Sequence, residues 1–377
     1  CSLVGSEMCI RDRMEDARVF ESHAPDLTAA MGVSDSEIYE SLPVHIRGSH
    51  LNLGDPVPRE FPEVLRTSTV RPVFPSHESG RLELARWMAS TQHPLTSRVY
   101  ANRVWRWHFG KGIVASTENF GLLGDPPTHP KLLDWLARYF MQNGWSTKKL
   151  HRLIMASNSY QMSSQHPDPT IALKVHPVNR MRWKFRINRL TAEQIRDSIL
   201  ATSKHMDRSI DGKTIPLRNR QFVFNHTSVD HTKYDSVRRA MYLPVIRNNL
   251  YSLFQQFDFP DPTMPTGNRN STVVAPQALW IMNSDLVMDA ANRVASDLFE
   301  DSLSDRSRVE VAYRRILGRK PSADESDHAI TFVDDLTTGN AKVFSADERV
   351  NERADVSRAW SLFCHSLYAS NEFIYLR

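Results

Sequence analysis

Between Pro94 and Ile113 the chain reads Pro-Leu-Thr-Ser-Arg-Val-Tyr-Ala-Asn-Arg-Val-Trp-Arg-Trp-His-Phe-Gly-Lys-Gly-Ile, placing three arginines, an asparagine, two tryptophans and a histidine on one predicted helix. At helical spacing Arg98, Asn102, Trp105, Arg106 and Phe109 share one face, while Tyr100, Arg103, Val104, Trp107 and His108 occupy the other. Large apolar groups on both sides predict a buried helix, and a buried guanidinium must find a carboxylate or an anionic ligand. Two chemistries follow. One is an internal arginine–carboxylate network drawing on Asp134, Glu193, Asp197, Asp258 and Asp261. The other is a pocket for an anionic or sugar ligand, with Arg98, Asn102, Arg103, Trp105 and His108 as its candidates and Trp105 as a stacking platform.

A second candidate is the polar, proline-stiffened loop Phe257-Asp-Phe-Pro-Asp-Pro-Thr-Met-Pro-Thr-Gly-Asn-Arg-Asn-Ser-Thr272. Asp258 and Asp261 can serve as an acid and base pair, or share a hard cation such as calcium with Asn268 and Asn270 adding oxygens. The plainer alternative is that they cap a helix or hold Arg269, so Arg269 joins the ligand-binding candidates. No residue is assigned a catalytic role.

Several chemistries lack their signatures. The histidines show no His-Glu-x-x-His or comparable metal spacing, and neither a glycine-rich phosphate loop nor a Gly-x-Ser-x-Gly elbow occurs. His226 and His231 sit in an unpatterned stretch from residue 205 to 235. The net charge of +4 is too mild for a nucleic-acid partner, which would need a concentrated basic face. The basic residues are strongly skewed, with 36 arginines against 11 lysines, the residue type suited to bidentate pairing with carboxylates or phosphates. No run of about 18 apolar residues is present, so no membrane span is expected.

The segment Leu3 to Arg13 reads as the translation of a sequencing adapter, and the genuine chain is expected to start near Met14. Of the three cysteines, Cys1 and Cys9 fall in that segment, leaving Cys364, whose apolar helical surroundings predict a small core residue. Residues 14–75, rich in proline, serine and charge, read as a linker draped over the body.

The remainder is expected to be mainly α, an irregular multi-helix body with long loops and at most a short β element. Helices are predicted from Leu82 to Ser90, from a Thr96 cap through the arginine motif, from Pro130 towards Gly144, and from Thr147. Thr191-Ala-Glu-Gln194 and Ser322-Ala-Asp-Glu325 have capping-box spacing, and Gly318 suits a helix C-terminus. Pro276 is expected to open the longest helix, with a stripe running from Leu279 to Leu298. Ser236–Ile246 allows a short edge strand. The last helix carries Val356, Trp360, Phe363, Cys364 and Leu367.

Ordered motifs then identify a resemblance. They include Arg81-Leu-Glu-Leu-Ala-Arg-Trp87, Asn102-Arg-Val-Trp105, His108-Phe-Gly-Lys-Gly112, Asn119-Phe-Gly121, Gly124-Asp-Pro-Pro127 and His129-Pro-Lys-Leu-Leu-Asp-Trp-Leu136. Further on stand Arg189-Leu-Thr-Ala-Glu-Gln-Ile-Arg-Asp197, Phe257-Asp-Phe-Pro-Asp261, Ala275-Pro-Gln-Ala-Leu279 and Leu317-Gly-Arg-Lys-Pro321. Together they resemble the planctomycete secreted domain of unknown function that closes long multi-domain proteins. On this reading the domain covers residues 76–325, and residues 326–377 form a helical extension packed on it. The resemblance implies export, upstream domains of the same polypeptide as partners, and a cytochrome-c-like domain among them. Cys-x-x-Cys-His is absent, so no cofactor is expected on this stretch and haem is expected only upstream.

Three functions remain open. The chain is a structural or binding module docking polysaccharide or a neighbouring domain, an enzyme acting on an extracellular carbohydrate or anionic substrate, or a scaffold for an upstream haem.

Overall fold

In a computed structural model of the chain, the described residues are 13–16, 19, 32–35, 40–65, 74–75, 77–210, 236–246, 249–300, 303–338 and 352–376. His226, His231, Arg71 to Val73 and most of the supposed adapter segment lie outside them.

The described leader residues include an antiparallel hairpin of β1 (Pro43–His45) and β2 (Leu53–Pro56). Phe61 stacks on Trp87 with centroids 4.4 Å apart, Phe74 meets Phe61 edge-on, and Asp35 takes Arg81 and Ser79. These contacts fix the leader against α1 (Arg81–Met88).

A first core forms around α2 (Thr96–Phe109), α3 (Pro130–Gln142) and α4 (Thr147–Met155). Thr96 is not the cap of α2; it is the first helical residue. The capping acceptor is His93 Nδ1, which receives the backbone N–H groups of Leu95 (3.3 Å) and Thr96 (3.1 Å). A ring nitrogen reaching forward three residues fulfils the role ordinarily taken by a hydroxyl or carboxylate. At the other end Gly110 has φ +74°, a conformation that favours glycine, and any Cβ there would also have to displace the end of the Asn188 side chain. Pro130 occupies the first turn of α3, where its missing N–H costs nothing. Ala101, Val104, Trp105, Phe109, Leu133, Leu136, Phe140, Leu150, Ile154 and Phe185 are buried together. The expectation of burial all round α2 fails on one side, because Trp107 is 54% exposed and Arg103 faces solvent.

A second core assembles α6 (Ala192–Thr202), α7 (Ser252–Gln256), α8 (Ala275–Asn283), α9 (Asp285–Glu300), α10 (Asp305–Ile316), α11 (Ala323–Thr337), α12 (Glu352–Ala369) and α13 (Asn371–Ile374). The short α5 (Thr170–Val175) lies between the two sets in sequence. Both capping boxes form, Thr191 with Gln194 and Ser322 with Glu325. Cys364 is fully buried beside Trp360 and Phe363, and burial pushes its thiol up to about 12. The helix expected from Pro276 to Leu298 is instead two. Ser284 is extended (φ −80°, ψ 126°), and its carbonyl accepts from Val287 and Met288 to begin α9 afresh, leaving α12 the longer element. No strand forms over 236–246. Arg196, 1% exposed, draws the carbonyls of Ser236 and Arg238 onto its guanidinium, and Asp197 caps the N–H of Ala240, so the segment turns into a 3₁₀ element at Ala240–Tyr242. The chain is mainly α, as its patterning predicts. Its second β element pairs β3 (Asn188–Arg189) with β4 (Tyr375–Leu376).

Arg319 joins α11 to α13 by pairing with both Glu325 oxygens (2.7 Å each) and both Glu372 oxygens (2.7 and 2.8 Å). The Arg319 bonds, then the Ser322 N–H, pull Glu325 down to about 2 from 4.5. A carboxyl depressed on folding contributes stability above its unfolded value and loses it as pH falls towards the folded one. The melting temperature is therefore expected to drop as pH falls from 4.5 to 2, and Arg319→Gln is expected to flatten that drop in a pH series of thermal melts.

Candidate functional site

The two motifs singled out in the sequence meet where the loop from Phe257 to Thr272 lies against α2 and the turn after it. Arg106, on α2, donates to Asn268 Oδ1 at 2.9 Å. Asn268 in turn donates to the Ala115 carbonyl (3.3 Å) and reaches Glu118 Oε2 at 3.5 Å, while Thr117 donates to the same Glu118 oxygen at 2.8 Å. Burial, then repulsion from Arg269 and Arg103, lowers the Arg106 pKa, with Glu118 opposing. The Arg106 Nε is buried with no hydrogen-bond partner among the described residues.

Carboxylates from α6 and the loop take up much of the remaining charge. Arg269 donates to both Glu193 oxygens at 2.8 and 2.7 Å and lies over the Phe259 ring. Burial alone would raise Glu193, but Arg269 and the backbone hold its pKa down. Arg189 on β3, its side chain 3% exposed, donates to Asp258 Oδ2 at 2.7 Å and to the carbonyls of Thr272 and Phe257. Asp258 has φ +55° and accepts from the Thr272 N–H (2.9 Å) and hydroxyl, so one carboxylate closes the loop on itself and anchors it to β3. Despite its burial, these bonds keep Asp258 below its usual pKa.

The other candidates are placed as follows. Arg98 pairs with Asp134 at 2.6 Å with both side chains about half exposed, a contact worth at most about 1 kcal/mol. Asn102, 1% exposed, bonds both ways with Val114, donating to its carbonyl (3.0 Å) and accepting from its N–H (2.9 Å). Trp105 is 7% exposed and its face is taken by the Arg182 guanidinium, 4.9 Å from the ring centroid. Burial first, with repulsion from Arg186, lowers Arg182 to about 10. His108 Nε2 lies 2.7 Å from His151 Nδ1, with Tyr160 edge-on, and burial and that neighbour lower its pKa. Arg103 forms no ion pair with a described residue. Asp261 accepts from the N–H and hydroxyl of Thr263 in a local turn. Among the described residues no group of three or more histidine, cysteine or acidic side chains could hold a metal ion, and no helix is long and apolar enough to cross a membrane.

Arg106, Arg189, Glu118 and His93 carry much of this arrangement without standing out in the sequence. The sequence puts Arg106 only on a helix face, and Arg189 only at the start of a motif. For His93 a usable signal exists, since it precedes by three residues a helix with no conventional cap.

These features define a mainly helical domain with an arginine–carboxylate seam. The sequence matches the family described as PSD1, protein of unknown function (DUF1553), over residues 80–333, and the chain belongs to that family. No curated protein and no solved structure matches it.

Proposed function

We propose that this chain is a structural and docking module of a larger exported protein, with a neighbouring domain of the same polypeptide as its principal partner. The observation that carries the reading is where the arginines end. Arg98, Arg189 and Arg269 terminate on Asp134, Asp258 and Glu193, and Arg106 on Asn268, so these guanidiniums fasten parts of the chain to one another. Two clefts lined by described residues have modest volumes, about 260 and 200 Å³. The likeness to planctomycete secreted domains supplies the exported setting, and any haem belongs to an upstream neighbour.

The turn Gly121–Gly124 suits docking. Leu122 and Leu123 at its tip are essentially fully exposed, while Gly124 N–H to Gly121 carbonyl, Asn119 to the Gly121 N–H, and Ser116 to the Asp125 N–H brace it beneath. Burying such a side chain against a partner gains roughly 1.5–3 kcal/mol. Leu122→Ser with Leu123→Ser is expected to leave the melting temperature unchanged and to weaken association with the upstream segment, supplied as a separate polypeptide, at least tenfold by calorimetry. Unchanged association would remove the turn from the docking surface.

Polysaccharide is a second occupant, favoured by the stacked surface pair Trp135 and Tyr139, whose centroids are 5.7 Å apart with Trp135 48% exposed. Retention of Trp135→Ala on insoluble polysaccharides, compared with the parent chain, separates the two occupants.

A further inference from the structure

A second feature, sharing no residue with the arginine–carboxylate seam, lies where the turn before α2 faces α3. The cleft of about 260 Å³ there has Pro94, Ala137 and Met141 as its apolar lining. Its polar lining is dominated by hydrogen-bond donors. Ser97 is 2% exposed and lines the cleft, yet its hydroxyl makes no hydrogen bond with a described residue. His93 is 9% exposed and meets Trp87 edge-on, with centroids 4.4 Å apart; because its Nδ1 accepts two backbone N–H groups and faces the Thr96 hydroxyl, its ring proton is assigned to Nε2, which makes no hydrogen bond with a described residue. Arg98 spends Nε on Asp134 and one terminal nitrogen on the Pro94 carbonyl, leaving its second terminal nitrogen open. Arg138, exposed on α3, pairs with no described carboxylate. Against two guanidiniums there is one carboxylate, Asp134.

We propose that this cleft binds a small oxyanion, a carboxylate or sulfate carried on a group no larger than about one sugar ring. Ser97 and His93 are the buried donors of the lining and the two arginines its exposed ones, a set that suits an acceptor-only group with negative charge. The volume, below the range of about 300–1,000 Å³ usual for drug-sized ligands, sets the size limit. Burial lowers the His93 pKa, so its ring stays a neutral Nε2 donor near pH 7 and binding is not expected to require its protonation.

The test is titration of the chain with sodium sulfate and, separately, with methyl glucuronide, followed by calorimetry and by NMR of the histidine ring nitrogens. The expected result is saturable binding of at least one probe, with a shift of the His93 Nε2–H signal. Arg138→Gln, which breaks no ion pair with a described residue, is expected to leave the melting temperature unchanged and weaken binding about tenfold, the scale of one charged hydrogen bond. Asp134→Asn is expected to tighten binding, since it removes the carboxylate competing for Arg98. Preference for sulfate would mark a free inorganic anion or sulfate ester, and preference for the glucuronide a carbohydrate carboxylate. Absence of binding by both probes overturns the proposal, as does binding that Arg138→Gln leaves intact.

Discussion

Replacement of Asp258 by alanine is expected to destabilise the fold by about 3–5 kcal/mol, the scale for removing one partner of a buried ion pair. The reason is the Arg189 side chain, 3% exposed, which would keep its charge with no carboxylate beside it. The Thr272 N–H would also lose its acceptor, and alanine would carry φ +55° without the local hydrogen bonds that ease an aspartate there. Asp258→Asn can still accept from the Thr272 N–H through its one amide oxygen, while it loses the charge and the second acceptor, so it should fall between. Chemical denaturation of both variants decides the matter. A stable Asp258→Ala chain that has lost a ligand would mean that the carboxylate works on something outside the protein.

Asn102→Ala should cost roughly 2–6 kcal/mol, from about 1–3 for each of the two Val114 backbone groups left buried without a partner. Asn102→Asp is expected to be no better, since a carboxylate satisfies the Val114 N–H while facing the Val114 carbonyl with a second acceptor. Thermal melts of the pair distinguish this role from ligand binding. Near-native stability in Asn102→Ala would return this side chain to the list of ligand contacts.

Much of the helical layout is legible from spacing alone. The two capping boxes, Pro130 at a helix start and the apolar spacing of Trp360, Phe363, Cys364 and Leu367 are local signals that the packing reinforces. What the pattern misreads depends on distant partners. The apolar stripe from Leu279 to Leu298 is continuous across Ser284, because periodicity does not register one residue turning extended. The segment 236–246 carries strand-forming residues, yet Arg196 from α6 claims its carbonyls, and among the described residues its pairing stops at an isolated bridge between Asp207 and Arg238. The seam was half visible. Arg269, Glu193 and Asp258 are candidates from the sequence and Arg106, Arg189 and Glu118 are not; the pairing of Arg269 with Glu193 and of Arg189 with Asp258 spans 76 and 69 positions, and residue type does not encode which charge finds which.

The way the two buried clusters are fastened gives the molecule an unequal response to its surroundings. Each cluster is held by apolar packing, which ions in the medium barely weaken, whereas the clasp across them runs through Arg106, Asn268 and Glu118, with Arg269 and Glu193 beside it. Charges at a partly wet boundary are screened over about 8 Å at physiological ionic strength, and the desolvation cost of pairing them falls on warming. Brine therefore slackens the clasp while leaving both clusters intact, and heat favours it relative to cold. The stiffness of the joint is thus a property shared between the chain and the fluid around it.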